Sequence, residues 1–265
     1  MFVIHPQKIE ILCNKVKIYL RSIQCNHSLQ RIVYHTQHII LLFKCQMVLV
    51  YTVCIFFIDI TIIELMFITF EGIDGSGKTT QSELLADHFR QIHGENHVIL
   101  TREPGGTDFA EKVRRVLLKD NIDPISELLL LTSMRYEHVK KLILPALKEG
   151  KIVICDRFID STIAYQGYGL GVDLGLIGDL HKLVKIERPD ITFILDIDVQ
   201  VGLSRAKDKN KYEEMDINFY NKVRKGFQEI ALKESDRCNV ITEIETKDDN
   251  RVHSEIINRI ASTIQ

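Results

Sequence analysis

The chain has 265 residues, of which 45% are hydrophobic and 26% are charged, a composition typical of one or two globular domains. The formal net charge of −2 provides no basic surface for a phosphate backbone, so we expect no nucleic-acid partner. The six cysteines form no C-x-x-C pair, which argues against a zinc site or a disulfide framework and favours a reducing, cytoplasmic setting.

The first 65 residues differ from the rest of the chain. They contain no glycine and four of the six cysteines, and residues 39–58 form an apolar run close to the length that spans a bilayer. Basic residues precede this run, as in a signal anchor. The alternatives are a membrane anchor, a packed accessory segment, and an extension that is non-native or disordered. We favour the extension over a membrane association, because Met66 directly precedes a complete first strand; the functional domain is then 66–265.

From Met66 onward, short apolar runs alternate with helical patterns, which predicts a three-layer α/β fold with a five-stranded parallel sheet flanked by helices. The predicted strands are 67–71, 97–101, 151–155, 191–196 and 239–242. The predicted helices are 79–93, 108–118, 126–149, 174–185, 200–206, 216–234 and 249–264. No repeat or low-complexity linker interrupts this part of the chain, so we expect it to form one domain.

A phosphate-binding loop follows the first predicted strand. The sequence matches G-x-x-x-x-G-K-[ST] and lies between an apolar run and an amphipathic helix, which indicates a P-loop NTPase-type fold. Lys78 is expected to contact the β- and γ-phosphates, and the Thr79 hydroxyl can bind Mg²⁺. The residues expected to bind the nucleotide, ATP, are Gly72, Ile73, Asp74, Gly75, Ser76, Gly77, Lys78 and Thr79.

A second signal is the apolar run that ends in Asp156 and Arg157. Because ligands bind at the carboxyl ends of parallel strands, Asp156 is expected beside the P-loop, where it and Thr79 can hold Mg²⁺ or its water. The guanidinium of Arg157 can hold phosphoryl oxygens in a bidentate manner. The alternative interpretation is an incidental aspartate that closes a buried strand.

A third signal, residues 101–107, follows the second predicted strand and reads T-R-E-P-G-G-T. Pro104 and the two glycines after it favour a tight turn that lets the backbone approach a ligand. Arg102 adds a cation at this strand end. The alternative interpretation is an ordinary surface loop.

Together with the stretches S-T and A-Y-Q-G at 161–162 and 164–167, these three signals make the chain resemble bacterial thymidylate kinases. The resemblance extends from Met66 to about residue 260. It implies an enzyme that transfers the γ-phosphoryl of ATP to dTMP, giving dTDP and ADP for dTTP biosynthesis. It also implies Mg²⁺ as cofactor, a mobile lid, a homodimer and a cytoplasmic location.

The resemblance further implies a role for each residue of the acceptor site. Asp74 matches the carboxylate that accepts a hydrogen bond from the 3′-hydroxyl, and Arg157 matches the arginine that grips the dTMP phosphate. Arg135 matches the arginine that contacts the thymine edge. Thr162 and Tyr165 match side chains that recognise the base and crowd the sugar at its 2′ position. The full set implied to bind dTMP is Asp74, Arg102, Leu131, Arg135, Arg157, Thr162 and Tyr165.

The chain departs from the family pattern at two places. Leu131 stands where many relatives carry a phenylalanine, so a stacking contribution of about 0.5–1.5 kcal/mol would be lost. Gly75 follows Asp74, where some relatives have an arginine, so the lid has to supply the catalytic cation. The candidate is Lys211 in the segment 207–211, although lysine lacks the forked geometry of arginine.

Three other functions compete with this one. A GTP-binding switch protein needs an Asn-Lys-x-Asp element, and the nearest match, residues 210–213, reads N-K-Y-E. A membrane-associated ATP-binding scaffold would explain the apolar run at 39–58. Another P-loop nucleotide or small-molecule kinase is the remaining alternative, and phosphorylation assays with dTMP, dUMP, dCMP and AMP distinguish it.

The first prediction concerns the start of the native protein. Because Met66 begins the first predicted strand, we expect N-terminal sequencing of the protein purified from its source to begin at Met66. We also expect a chain that starts there to phosphorylate dTMP. A native N-terminus before Met66 would contradict the interpretation of residues 1–65 as an extension.

Overall fold

The computed structural model describes residues 66–205, 211–212, 215–242, 244 and 248–264. The apolar run at 39–58 and the rest of the first 65 residues lie outside the described residues. So do residues 207–210 of the predicted lid. In the part of the chain that is described, none of the helices combines the length and the apolar character needed to cross a bilayer.

Five strands form one parallel sheet. They are β1 Phe67–Glu71, β2 Val98–Arg102, β3 Ile152–Asp156, β4 Ile191–Leu195 and β5 Cys238–Ile241. Their order in the sheet is β2-β3-β1-β4-β5, so the first strand of the described fold lies at the centre. The prediction of five parallel strands is confirmed, and each predicted strand end lies within one residue of the observed end.

Nine α-helices connect and flank these strands among the described residues. They are α1 Lys78–His93, α2 Asp108–Lys119, α3 Pro124–His138, α4 Leu144–Lys148, α5 Ile159–Thr162, α6 Leu174–Leu183, α7 Val199–Arg205, α8 Ile217–Lys233 and α9 Asp249–Ile264. Several begin at a side chain that accepts a hydrogen bond from the first turn: Thr107 caps α2, Asp123 caps α3 and Asp173 caps α6.

Two helical regions differ from the prediction. The helix predicted at 126–149 is divided into α3 and α4 by a π-helical segment, Val139–Ile143. Helix α5 and the π-helical segment Ile163–Gly169 after it were not predicted, because glycine inside a segment lowers its helix propensity. Packing explains one of these glycines: a Cβ on Gly169 would lie 2.5 Å from the ring of Phe219 in α8.

The side chains of β1 divide the core between the two faces of the sheet. Ile68 and Phe70 point to one face and belong to a cluster that includes residues of α1 and α9. Phe67 points to the opposite face and packs with Val139, Ile143 and other apolar residues. The helices therefore cover both faces, as in the predicted three-layer arrangement. All five strands end at the same edge of the sheet, where the predicted site residues are found.

Candidate active site

The P-loop joins the end of β1 to the start of α1. Its backbone needs glycine at Gly75, whose φ is +75° and where a Cβ would lie only 1.9 Å from the carbonyl oxygen of Gly202. Gly77, with φ at +89°, immediately precedes α1. The loop therefore follows a path that other residues could not adopt without displacing α7, and its end lies at the helix N-terminus that favours anions.

Lys78 is held beneath this loop. Its Nζ donates hydrogen bonds to the carbonyl oxygen of Ile73 at 2.7 Å and to Ser76 Oγ at 3.3 Å. Burial, together with the positive charge of Arg157, lowers the pKa of Lys78 from 10.5 to about 8. The lysine is therefore mostly protonated at neutral pH, and a bound phosphate would raise its pKa.

Thr79 and Asp156 come from α1 and β3 and contact each other directly. Thr79 Oγ1 donates a hydrogen bond to Asp156 Oδ2 at 2.6 Å. Asp156 Oδ1 is buried and has no hydrogen-bond partner in the described residues. Hydroxyl and carboxylate oxygens are the ligands that Mg²⁺ prefers, and a buried oxygen without a partner favours a nearby cation or its water. These two residues therefore fit the metal site predicted for them.

Arg157 and Asp74 form an ion pair at the mouth of the P-loop. Arg157 Nη2 donates to Asp74 Oδ1 at 2.5 Å, and Nη1 donates to the carbonyl oxygen of Gly72 at 3.0 Å. The hydroxyls of Tyr165 and Tyr220 donate to Asp74 Oδ2 at 3.1 and 3.2 Å. Burial by itself would raise the pKa of Asp74, but the charge of Arg157 and these hydrogen bonds lower it below its usual value. Asp74 is thus an ionised acceptor.

The turn that presents Arg157 is fixed by Glu71 at the end of β1. Arg157 has a φ of +67°, which is uncommon for a residue with a side chain. Glu71 stabilises the chain after it by accepting hydrogen bonds from the Phe158 N–H at 2.7 Å and from Ser161 Oγ at 2.5 Å. Burial and the negative charge of Asp160 raise the pKa of Glu71 to about 7. Glu71 was missed by the sequence analysis as a residue that supports the site.

Arg135 lies at the other end of the site, on α3. Its Nε donates to Glu103 Oε2 at 2.6 Å, and its Nη2 donates to the carbonyl oxygen of Phe158 at 3.0 Å and to Thr162 Oγ1 at 2.9 Å. Leu131, one turn earlier on the helix, is buried. The structure therefore brings Leu131, Arg135 and Thr162 together, as the acceptor-site prediction requires.

One cavity of about 1500 Å³ connects these groups. Every predicted site residue except Gly72, Ile73 and Lys211 lines it. A cavity of this size has room for two ligands, since single-ligand pockets usually have volumes of about 300–1,000 Å³. Its P-loop end carries the groups predicted to bind phosphate, and Leu131, Arg135 and Thr162, predicted to contact the base, line its other end.

Lys211 is placed differently from the other predicted residues. Its Nζ forms an ion pair with Glu127, a buried carboxylate on α3, and lies 5.3 Å from the centroid of the Tyr212 ring. Glu127 also accepts hydrogen bonds from Gln166 Nε2 at 2.7 Å and from the Tyr212 hydroxyl. In this structure Glu127 holds Lys211, and the assignment of Lys211 as the catalytic cation stays a prediction.

Two arginines lie near the strand end that precedes α2. Arg102 donates to both carboxylate oxygens of Glu111 at 3.1 Å. Arg114, which the sequence analysis missed, donates to the carbonyl oxygen of Pro104 and lines the cavity. Burial and then the charge of Arg102 lower the pKa of Arg114. The missed signal was helical spacing: Arg114 lies four residues after Ala110, on the buried face of α2.

Comparisons with known proteins agree with this geometry. Residues 70–256 match the family model described as thymidylate kinase. A thymidylate kinase from Wolbachia sp. subsp. Brugia malayi (strain TRS) is 81% identical over 198 residues, which is 75% of this chain and 97% of the relative. A thymidylate kinase from Ehrlichia chaffeensis is 57% identical over 197 residues, which is 72% of this chain and 97% of the relative. A crystal structure of thymidylate kinase from Ehrlichia chaffeensis, 52% identical, superposes with a TM-score of 0.63 and covers 74% of this chain and 98% of the other.

The environment of Lys78 predicts how nucleotide binding depends on pH. Its pKa of about 8 in the free protein means that the ammonium group loses its proton as the pH rises through that value. We therefore expect the Kd for ATP to rise steadily above about pH 8, measured by calorimetry between about pH 6.5 and about pH 9.5. In Lys78→Arg the side chain stays charged, so the remaining affinity should lose this pH dependence. A wild-type Kd that is constant up to about pH 9.5 would contradict the prediction.

Proposed function

The chain belongs to the thymidylate kinase family. We propose a role for each site residue in the transfer of the γ-phosphoryl of ATP to dTMP. The observation that carries the proposal is a single cavity with a P-loop and Lys78 at one end and the Arg157–Asp74 pair beside them. Two polyanions that meet end to end need cations on both sides and groups that fix their orientation. This cavity supplies both.

The P-loop, residues 72–79, forms the proposed ATP site, and residues 74–79 line this end of the cavity. The backbone N–H groups of the loop and the N-terminus of α1 bind the phosphates, and the Lys78 ammonium contacts the β- and γ-phosphates. Thr79 and Asp156 would hold Mg²⁺, which neutralises the negative charge between the phosphates when it is bound. The buried Oδ1 of Asp156, which has no hydrogen-bond partner in the described part of the chain, supports this role.

The acceptor end begins beside the P-loop. Arg157 binds the phosphate of dTMP with the N–H groups that its hydrogen bonds to Asp74, Gly72 and Ser161 leave available. Asp74 accepts a hydrogen bond from the 3′-hydroxyl of the sugar, since its lowered pKa keeps it ionised. Tyr165 is buried and donates to the same carboxylate, so its ring lies where it crowds a 2′-hydroxyl and favours deoxyribose.

The base lies against Leu131, Arg135 and Thr162. Arg135 reads the edge of the thymine, and Leu131 covers part of its face. An aliphatic side chain excludes water from the base but does not stack as an aromatic ring does. Arg102 and Arg114 add positive charge on the β2 side of the acceptor phosphate, and this is supported by the contact of both residues with the cavity.

The transfer itself requires no covalent enzyme intermediate and no general base. An oxygen of the dTMP phosphate forms a bond to the γ-phosphorus, and the bond from that phosphorus to the bridging oxygen of ADP breaks. Lys78 and Arg157 offset the repulsion between the two anions. Lys211 is the proposed third cation, and it would have to leave Glu127 to reach the transferred phosphoryl group.

We also propose that the protein is a homodimer. Helix α2 packs along α3, and α3 contacts α6. These three helices carry most of the large apolar side chains that are exposed among the described residues: Phe109, Val116, Ile125, Leu129, Tyr136, Leu174, Leu176 and Leu183. An exposed apolar surface on three adjacent helices is typical of a self-complementary interface.

The free, buried thiols of Cys155 and Cys238 fit the reducing cytoplasm that we propose as the location of the protein.

The assignment of Arg157 to the acceptor phosphate predicts a specific kinetic pattern. Arg157→Ala should lower turnover of dTMP at least about 100-fold, because a charge that stabilises the transition state is lost. Its Kd for ATP should change little, whereas Lys78→Ala should abolish transfer. The assay couples ADP release to absorbance and compares dTMP, dUMP, dCMP and AMP as acceptors of the wild type.

A matched control for Arg157 is Arg188→Ala, which removes a surface arginine that is paired with Glu234 and Asp236 and does not line the cavity. Arg188→Ala should phosphorylate dTMP at the wild-type rate. If ATP affinity fell as much as turnover in Arg157→Ala, the assignment to dTMP would be wrong. A wild type that phosphorylates another acceptor and leaves dTMP unchanged would overturn the proposed division of roles.

The proposed dimer predicts different effects for two exposed leucines. Leu129→Glu places a charge on the exposed face of α3 and should convert the protein to a monomer in sedimentation experiments. Leu232 is 80% exposed and belongs to α8, which is not one of the three helices of the proposed interface. Leu232→Glu should therefore remain dimeric. A wild type that is monomeric at about 50 μM would contradict the proposal.

A further inference from the structure

Arg135 has almost no freedom left in its guanidinium group. A guanidinium carries five N–H donors in a fixed plane. Those on Nε and Nη2 contact Glu103, the Phe158 carbonyl and Thr162, as described above. Nη1 lies 3.2 Å from Nε2 of His181. Four of the five N–H groups therefore have partners among the described residues, and one N–H on Nη1 remains for a ligand.

His181 lies on α6 and does not line the cavity, so it reaches the site only through Arg135. Because a guanidinium can only donate, His181 Nε2 must accept, which requires a neutral imidazole with its proton on Nδ1. Burial, and then the positive charge of Arg135, lower the pKa of His181 to about 3. The imidazole therefore remains a neutral acceptor throughout the physiological range of pH.

The opposite side of Arg135 is held by a buried chain of hydrogen bonds. Glu103 Oε1 lies 2.9 Å from Nδ1 of His138, and His138 Nε2 lies 2.8 Å from the hydroxyl of Thr101 at the end of β2. Gly106 makes room for this histidine, because a Cβ there would lie 2.4 Å from His138 Nε2. Both carboxylate oxygens of Glu103 thus have partners, and the contacts of Nη1 and Nη2 further define the orientation of the guanidinium.

We propose that His181 is a positioning residue that orients Arg135 toward the base and thereby sets the pyrimidine specificity of the enzyme. The proposal rests on the proposed function, in which Arg135 reads the base edge. Without the acceptor at Nε2, both N–H groups of Nη1 would lack a partner among the described residues, and the guanidinium would be held through Nε and Nη2 alone. With it, Nη1 is held as well, and a single N–H remains for the base.

The direction of that N–H decides which pyrimidines can accept a hydrogen bond from it, because pyrimidines differ in the group at position 4 of the ring. Thymine and uracil have an oxygen there, which accepts a hydrogen bond. Cytosine has an amino group, which would place two donors against each other. A fixed single donor therefore selects a 4-oxo pyrimidine, and loss of its fixation should relax the discrimination against dCMP.

The test compares His181→Leu, which removes the acceptor, with His181→Gln, whose amide oxygen can take the place of Nε2. His181→Leu should raise the KM for dTMP about tenfold and lower the dTMP-to-dCMP ratio of kcat/KM by about the same factor. The KM for ATP should be unchanged, and His181→Gln should stay within about twofold of the wild type. His97→Leu, at an exposed histidine outside the site, is the matched control.

A second measurement does not depend on the folding of any variant. The ¹⁵N chemical shifts of His181 in the wild type should report the Nδ1–H tautomer and no titration between about pH 5 and about pH 8. Titration near the ordinary pKa, the opposite tautomer, or unchanged dTMP and dCMP kinetics in His181→Leu would each overturn the proposal.

Arg135→Met distinguishes a failure of the proposed base-reading role of Arg135 from a failure of the inference about His181. If it also leaves the KM for dTMP unchanged, the base-reading role of Arg135 has failed; if it raises that KM while His181→Leu does not, only the inference about His181 has failed.

Discussion

The site depends on one structural constraint, the parallel pairing of β1 with β3. In this register Phe70 pairs with Asp156, so both strands leave the sheet at the same level. The P-loop after β1 and the Asp156–Arg157 pair after β3 are therefore side by side, and the contact between Thr79 and Asp156 follows directly. A slip of one residue would turn the side chains of β3 to the opposite face and separate these groups. Glu71 reinforces the pairing, because it belongs to β1 and holds the chain that follows β3.

The same arrangement explains how cations can be buried where two polyanions are to bind. Lys78 and Arg157 are close enough that each makes the positive charge of the other less favourable. The carboxylates of Asp74 and Asp156 offset this repulsion before any substrate is present. Phosphates that enter the cavity supply further negative charge, so binding strengthens the protonation of Lys78. A carboxylate near a phosphate site is thus compatible with anion binding, because it keeps the buried cations charged.

Sequence patterns predicted the parts of the molecule that local rules determine. Short continuous apolar runs identified the strands, and the glycine spacing of the P-loop requires a particular backbone path; both are local properties. Glu71 was missed because its role comes from packing between elements, whereas the helical spacing of Arg114 is a local signal that was overlooked. The contact between Arg135 and His181 joins residues 46 positions apart in the chain, and no periodicity predicts it. The π-helical segment after α5 was missed for a related reason, since close packing against α8 overrides the low helix propensity of its glycines.

If Leu131 covers the base as proposed, an aliphatic side chain in place of an aromatic ring changes the balance of forces that select the base. Stacking gains free energy from any planar ring and distinguishes poorly between pyrimidines, whereas a fixed hydrogen-bond donor distinguishes an oxygen from an amino group. With Leu131 against the base, stacking would contribute less to the binding free energy, and the hydrogen bond from Arg135 would contribute a larger share. Directional recognition fails if the donor can rotate, because an arginine side chain has many rotamers. On the proposed assignment, the contacts that hold Arg135 to Glu103 after β2, to the Phe158 carbonyl after β3 and to His181 on α6 would preserve this selectivity without a stacking ring.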